Sequence, residues 1–411
     1  MKVLHLSTFD IEGGAARAAY RVHQGLTAID GITSNMLVRL KSSPDPQVIK
    51  EKSWFTQAGP FFNRLPLRHY TQRERKLFSP QWGPDSLAPT VNQLAPDIVN
   101  LHWVCNGYLR IETLKKIKYP LVWTLQDMWP MTGGCHYSEA CDRYHNSCGR
   151  CPQLGSTKEN DLSRRILERK KKAWSGLNLT IVAPSHWMSD CAKASKVFQN
   201  FRIEVIPFCL DLKTYRPQDK SFSRRVLNLP EDKKLILFGA LAATADKRKG
   251  FDLLVSALQK LSKAGICKDA EVVVFGSNQP KAPIDLGFKS HYLGHLSDDI
   301  SLSLVYSAAD VMIVPSLQES FGQTTSEALA CGTPVVAFNA TGPKDIVDHE
   351  KNGYLAQPYS PEDLAKGIAW ILEDDERRQN LSHHALNKAI KEFGLDIQAQ
   401  RYKSLYEKIL M

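Results

Sequence analysis

The sequence predicts an α/β protein made of two doubly wound parallel-sheet domains that face each other across a deep cleft. Short, nearly unbroken apolar runs alternate with longer stretches of helical periodicity along most of the 411 residues. That is the pattern of a parallel sheet covered on both faces. The series starts afresh after residue 205, which calls for two sheets rather than one. Polar residues and glycines stand directly after several of the runs, where open α/β sheets bind their ligands.

In the first series VLHLS (3–7), IVNLHW (98–103), PLVWTL (120–125) and LTIVAPS (179–185) read as buried strands. In the second, KLILFG (234–239), EVVVFG (271–276), DVMIVPS (310–316) and TPVVAF (333–338) do the same. The join lies around EVIPFCLDLKTYRP (204–217), where prolines and a turn break the pattern. Residues 1–204 are therefore expected to form an N-terminal domain and 205–385 a C-terminal one. The helical, charged segment 386–411 is expected to pack back on the first. Residues 41–92, rich in Pro, Gln and basic side chains and without a clear period, read as a partly helical insertion.

A hydrophobic content of 43% and a charged content of 23% are globular values. No window approaches the eighteen consecutive apolar residues of a spanning helix. The opening MKVLHLSTFDIEGG has too short an apolar run for a signal peptide and reads as a first strand, so a cytoplasmic protein is expected. Nine cysteines, five of them scattered, argue against a secreted disulfide framework. The net charge of +10 implies anionic company: phosphates, nucleic acid or an anionic membrane face. Its densest runs are RHYTQRERK (68–76) and RRILERKKK (164–172), read as solvated helix faces. In the second, Ile166, Leu167 and Trp174 would also suit a membrane-surface helix.

The most informative stretch is PSLQESFGQTTSEALACGTPVV (315–336). A strand ends at Pro315, a loop carries Glu319 and a Ser-Phe-Gly turn, and a helix begins near Thr324 and Thr325. Glu327 follows inside that helix, eight positions after Glu319. Amides of Gly322 to Thr324 at a helix N-terminus suit a phosphate oxygen, and neighbouring carboxylates suit sugar hydroxyls. This segment resembles the E-x7-E motif of retaining glycosyltransferase family 4. The whole block from Tyr306 to Gly353 resembles that family, as does the opening GGAARAA. The resemblance implies the GT-B fold of two Rossmann-like domains and a nucleotide-sugar donor. It assigns Glu319 to the donor hexose and Glu327 to the ribose. Backbone around Phe321, Gly322, Gln323 and Thr324 would hold the sugar and diphosphate.

FGALAATADKRKGFDLL (238–254) places Lys247, Arg248 and Lys249 in a loop before Gly250 and a helix. Fixed cations there would stabilise the charge that develops on a departing nucleoside diphosphate. In the family an arginine follows the strand glycine and a lysine precedes the later glycine. Lys249 matches the lysine. Ala240 stands at the arginine position, which passes that role to Arg248 or loses it. In the first domain, STFDIEGGAARAAYRVHQGL (7–26) is a strand, a Gly13-Gly14 loop and a small-residue helix. By resemblance the loop lies under the donor phosphates and Arg17 faces the acceptor side.

The end of PLVWTL brings Gln126 and Asp127 into the expected cleft. Gln126 takes the place of a histidine common in the family, and an amide cannot serve as a base. Retention by front-face attack, with the leaving phosphate taking the acceptor proton, would survive that change. Asp127 and His102 are the candidate substitutes. Just downstream, GGCHYSEACDRYHNSCGRC (133–151) holds Cys135, Cys141, Cys148 and Cys151. It resembles an insert in a subset of these enzymes related to those making bacterial extracellular (colanic-acid-type) polysaccharides. C-x2-C is a common half of a zinc site, and the other two cysteines could complete it, with His136 or His145 as replacements. Reduced thiols, disulfides and an iron–sulfur centre remain alternatives.

The expected function is transfer of a hexose from a UDP- or GDP-sugar to a glycan or lipid-linked glycan, as in polysaccharide biosynthesis. No D-x-D motif stands out in the donor half, so no catalytic metal is expected. A catalytically altered glycan- or nucleotide-sugar-binding protein is the alternative. The basic charge would suit a peripheral position at the inner membrane face. A nucleic-acid partner is not expected, because aromatic and basic residues do not interleave.

Overall fold

The computed structural model describes every residue except Asp85, Lys281, Pro283 and Ser297. The chain divides into two units, one of residues 1–207 with 398–411 and one of residues 208–397.

In the first unit the described strands are β1 (Lys2–Phe9), β2 (Thr33–Leu40), β3 (Val48–Lys50), β4 (Ile98–Leu101), β5 (Leu121–Thr124), β6 (Leu179–Ala183) and β7 (Arg202–Val205). They form one parallel sheet in the order β3-β2-β1-β4-β5-β6-β7. Its helices are α1 (Gly14–Thr27), α2 (Trp54–Arg64), α3 (Leu87–Leu94), α4 (Leu162–Trp174) and α5 (His186–Ala194). β4, β5 and β6 are buried along their whole length, which is why they read as unbroken apolar runs. Trp123, Trp129, Trp174 and Phe198 pack ring against ring at the centre of the core.

The segment 41–92 holds β3, α2, a single-turn helix over Leu65–His69 and α3. The run 164–172 lies in α4, where Ile166, Leu167 and Trp174 are fully buried in the core. That helix therefore has no apolar strip to offer a membrane. One lysine of the run, Lys170, is itself fully buried. The run 68–76 is mostly turn and loop rather than a helix face.

The second unit comprises α6 (Lys220–Val226), β8 (Lys234–Gly239), α7 (Phe251–Lys263), β9 (Ala270–Phe275), β10 (Ser290–Tyr292), α8 (Asp299–Ala308), β11 (Val311–Val314), α9 (Gln323–Ala330), β12 (Val335–Phe338), β13 (Gly353–Ala356), α10 (Pro361–Leu372) and α11 (Asp375–Glu392). Its sheet is again parallel, in the order β10-β9-β8-β11-β12-β13. Asp310, just before β11, ties the unit's rear together. It accepts from Arg224 (2.8 Å), Lys220 (2.8 Å), Arg378 and the Leu235 amide (2.7 Å). Burial alone would raise its pKa, but Lys220 and Arg378 carry it below the usual carboxylate range.

The final helix α12 (Leu395–Leu410) begins in the second unit and belongs to the first from Gln398 onward. The segment that returns to the first unit is thus shorter than the 386–411 expected. Residues 386–397 stay with the second unit, where Ala389 and Phe393 are buried and the Phe393 carbonyl accepts the Leu210 amide at 2.7 Å. In the first unit, Tyr406 accepts from Asn100 Nδ2 at 2.7 Å, and the Tyr402 and Thr124 hydroxyls lie 3.0 Å apart.

Candidate active site

Each sheet reverses its strand order once, between β1 and β4 in the first unit and between β8 and β11 in the second. Loops leaving the carboxyl ends of two such strands diverge to opposite faces and leave a crevice. The predicted residues of the second unit, and the Gly13–Gly14 loop and His102 of the first, fall at these two places, whereas Gln126, Asp127 and the four cysteines follow β5.

In the second unit the loop after β8 ends in a helical turn, Lys247–Lys249, capped by Asp246. The loop after β11 carries Ser316 to Gly322. Gly250 lets the two meet: it sits at φ +73°, and a Cβ there would fall 1.8 Å from the Pro315 carbonyl oxygen. The Leu317 amide donates to the Arg248 carbonyl at 2.8 Å and closes the junction. Lys249 Nζ then lies 2.5 Å from Glu319 Oε1, with Arg248 Nη1 at 3.3 Å from the same oxygen. Burial would raise the Glu319 pKa, but the Lys249 and Arg248 charges hold it below the usual value. Glu319 is therefore an anion between two cations, about 13% exposed.

Arg248 is less available than its place in the sequence suggested. Its guanidinium donates to the Gln318 carbonyl (2.7 Å) and to Asp246 (3.0 Å). Phe321 is buried, its ring against Phe208 and Phe393, so only its backbone can meet a ligand. Gly322 caps α9 with φ +102°, and Gln323 and Thr324 are partly exposed in the first turn. Glu327 is buried and accepts from the Tyr306 hydroxyl at 2.9 Å. Sequence reasoning missed Ser316, Asp246, Thr341 and Gly342. The Glu319 amide approaches Thr341 Oγ1 at 3.3 Å and its carbonyl accepts the Gly342 amide at 3.0 Å. A helix-capping Asp before the basic run was the one available signal.

In the first unit Gly13, with φ +87°, caps α1, and a Cβ there would meet nothing within 4 Å. Gly14 opens the helix, and Arg17 lies one turn on, partly exposed. The loop is shaped by Asp10, which sequence reasoning missed. Fully buried, it accepts amides of Ile11 (2.9 Å), Ser42 (3.0 Å) and Ser43 (2.8 Å).

His102 does not reach the surface of this unit. It is 2% exposed, and Nε2 lies 2.9 Å from His5 Nδ1. Burial is the main reason that its pKa falls to about 3, so it is a neutral interior residue rather than a base. Gln126 is also buried, with Nε2 at 3.4 Å from His102 Nδ1. Its Oε1 has no partner among the described residues. Asp127 spends its oxygens on Trp103 Nε1 (2.8 Å), the Trp129 amide (2.8 Å) and His136 Nδ1 (2.5 Å). Those bonds make it an anchor for the loop after β5, not a spare base. His136 Nε2 meets Ser79 Oγ at 2.8 Å, so both its ring nitrogens are occupied.

All nine cysteines are free thiols. Cys135, Cys141, Cys148 and Cys151 line one small cavity, and burial pushes Cys148 up to about 12 and Cys151 to about 11.

The described arrangement accords with known proteins. Residues 219–388 match the family described as "Glycosyl transferases group 1". A D-inositol 3-phosphate glycosyltransferase of Xylanimonas cellulosilytica is 36% identical over 222 residues, which is 50% of this chain and 51% of that protein. The match thus spans about half the length of that relative. Sucrose-phosphate synthase from Thermosynechococcus elongatus superposes with a TM-score of 0.70 at 18% identity, over 100% of this chain and 99% of the other. Anabaena HepE, solved in complex with UDP and glucose, gives 0.66 at 17% identity, over 99% of each chain. The chain therefore has the GT-B fold of two Rossmann-like units, and the second unit carries the group 1 glycosyl transferase match.

Proposed function

We propose that the protein is a retaining, nucleotide-sugar-dependent hexosyltransferase whose donor is a UDP- or GDP-sugar. The observation that carries this reading is the Lys249–Glu319–Arg248 cluster at the strand-order reversal of the second unit, beside the N-terminus of α9. When a diphosphate enters, Lys249 exchanges Glu319 for the β-phosphate, and the first-turn amides of α9 take a second oxygen. Glu319, released, accepts hexose hydroxyls, and Glu327, backed by Tyr306, takes the ribose. Charge developing on the leaving phosphate is met by a fixed cation in a partly buried setting. In this reading the leaving phosphate accepts the acceptor proton on the face from which it departs, so retention needs no enzymic base. Arg17 serves the acceptor side. UDP and glucose in Anabaena HepE support the donor class.

The acceptor in this reading is a glycan, free or lipid-linked, in polysaccharide biosynthesis at an anionic membrane face. The support is a surface on the first unit: Trp54 (67% exposed), Phe55 and Phe61 are exposed on α2, and Phe61 shares a groove with Arg64, Arg68 and Arg73. Exposed aromatics with flanking arginines suit an anionic bilayer surface. No described helix is long and apolar enough to cross a membrane. Flotation with anionic vesicles should retain the protein, and Trp54→Ala with Phe61→Ala should release it.

The deciding experiment is a thermal-shift screen across nucleoside diphosphates and their sugars, followed by product analysis with glycan and inositol-phosphate acceptors. Stabilisation by UDP or GDP is expected, and none by any nucleotide would refute the reading. Binding without sugar release from any donor would instead favour the altered, non-catalytic alternative, which the Gln126 and Ala240 replacements favour.

A further inference from the structure

Residues Gly133 to Cys151 wrap a cavity of about 20 Å³ lined by Cys135, Cys141, Cys148 and Cys151, with Arg143 and Tyr144 in its wall. A space of that order admits about one water-sized sphere. The backbone around the thiols is arranged toward sulfur. The Gly133 amide donates to Cys148 Sγ, and the amides of Gln153 and Leu154 both donate to Cys151 Sγ. Amide bonds of this kind fix the direction of a sulfur ligand.

The C-x2-C turn is also rigid. Cys148, Gly149 and Arg150 have φ of +53°, +91° and +44°. A Cβ on Gly149 would lie 2.2 Å from the Glu159 carbonyl oxygen. The Gly149 amide bonds Ser163 Oγ (2.9 Å) and the Cys151 amide bonds Asp161 (2.9 Å), which pins the turn to the start of α4.

A second observation comes from the opposite side. Lys170 is fully buried, donates to the carbonyls of Trp129 and Thr132, and lies 3.6 Å from the Trp129 ring centroid. Among the described residues no carboxylate pairs with it. Its attractive partners are the sulfurs of Cys105, Cys135 and Cys148, together with Asp127.

We propose that Cys135, Cys141, Cys148 and Cys151 bind one structural Zn²⁺. Four thiols release four protons and coordinate the ion as a tetrahedral dianionic centre, beside the Arg143 guanidinium in the cavity wall. Among the described residues no group of three or more ligating side chains stands ready to hold a metal ion, so binding requires the four thiols around the cavity to converge. Four protein ligands leave no open position, so the ion is not catalytic. It staples the loop that Asp127 and His136 tie to Trp103. This assignment is independent of the transferase reading.

Metal analysis of the purified full chain should find about one zinc per molecule, and X-ray absorption at the zinc edge should show sulfur neighbours at about 2.3 Å only. Cys151→Ser should lower zinc content and melting temperature, while Cys267→Ser, outside the cluster, should leave both unchanged. If the serine variant does not fold, the wild-type absorption spectrum still decides. No metal with four free thiols, disulfides by mass, iron in place of zinc, or a nitrogen or oxygen neighbour would each overturn the assignment.

Discussion

Replacing Lys249 by alanine tests the candidate donor site most directly. Lys249 Nζ sits 2.5 Å from Glu319 Oε1, and both side chains are largely enclosed, at 17% and 13% exposure. Its removal does not strand the carboxylate, because Arg248 Nη1 at 3.3 Å and Ser316 Oγ at 3.3 Å remain. The variant should therefore fold. What it loses is the cation offered to a diphosphate oxygen. A hydrogen bond to a charged group is worth about 1.5–3 kcal/mol, which converts to roughly 10- to 150-fold in Kd. Isothermal titration of UDP and GDP at fixed salt should show that loss. Glu319→Gln should behave in the opposite sense: it releases Lys249 from its carboxylate, so nucleotide binding should hold or tighten while sugar transfer falls. If Lys249→Ala binds the nucleoside diphosphate that the wild type binds just as tightly, the exchange of Glu319 for phosphate is refuted.

Gly250→Ala should weaken nucleotide binding without touching any charge. Its Cβ would collide with the Pro315 carbonyl at φ +73°, pushing Lys249 away from Glu319 at a cost of about 1–3 kcal/mol; an unchanged Kd and melting temperature would show that the loop junction does not matter. Asp310→Leu should destabilise the protein by about 3–5 kcal/mol in denaturant melts, because it leaves the buried Arg224 without its carboxylate; a loss under about 1 kcal/mol would count against that hub. His102, neutral when folded with a pKa near 3, takes up a proton near its ordinary value when unfolded. Below that ordinary value the unfolded chain binds the extra proton, so stability falls with falling pH, by about 1.4 kcal/mol per unit. His102→Gln should flatten the stability slope between pH 6 and 5 by that amount, and equal slopes would contradict its neutral burial.

What the sequence by itself determined was local and periodic. All eight apolar runs contain strands, since a strand buried on both faces has no polar positions to disguise it. The strands it did not reveal are short or carry polar residues. β7 (RIEV) is only partly buried, and β2 mixes Thr, Ser, Asn and Arg into its run. The carboxylates 319 and 327, the basic run before Gly250 and the cysteine spacing were all legible as patterns. Their partnerships were not.

Lys249 and Glu319 are 70 residues apart, and nothing local joins them. The order β8 beside β11, with a glycine thin enough for two loops to touch, brings them to one point. Burial was equally invisible from composition. The run RRILERKKK looks solvated, yet Lys170 is enclosed. Asp127 looks like a base, yet its oxygens hold a loop. His102 looks like a proton carrier, yet the surrounding packing keeps it neutral. In the insertion 41–92, Trp54, Phe55 and Phe61 stand in solvent, which its lack of a clear period did not reveal. Local periodicity is carried by neighbours along the chain, so the sequence determines it. Which polar group meets which partner, and which is removed from water, depends on sheet order and packing across scores of residues, and only the tertiary structure decides that.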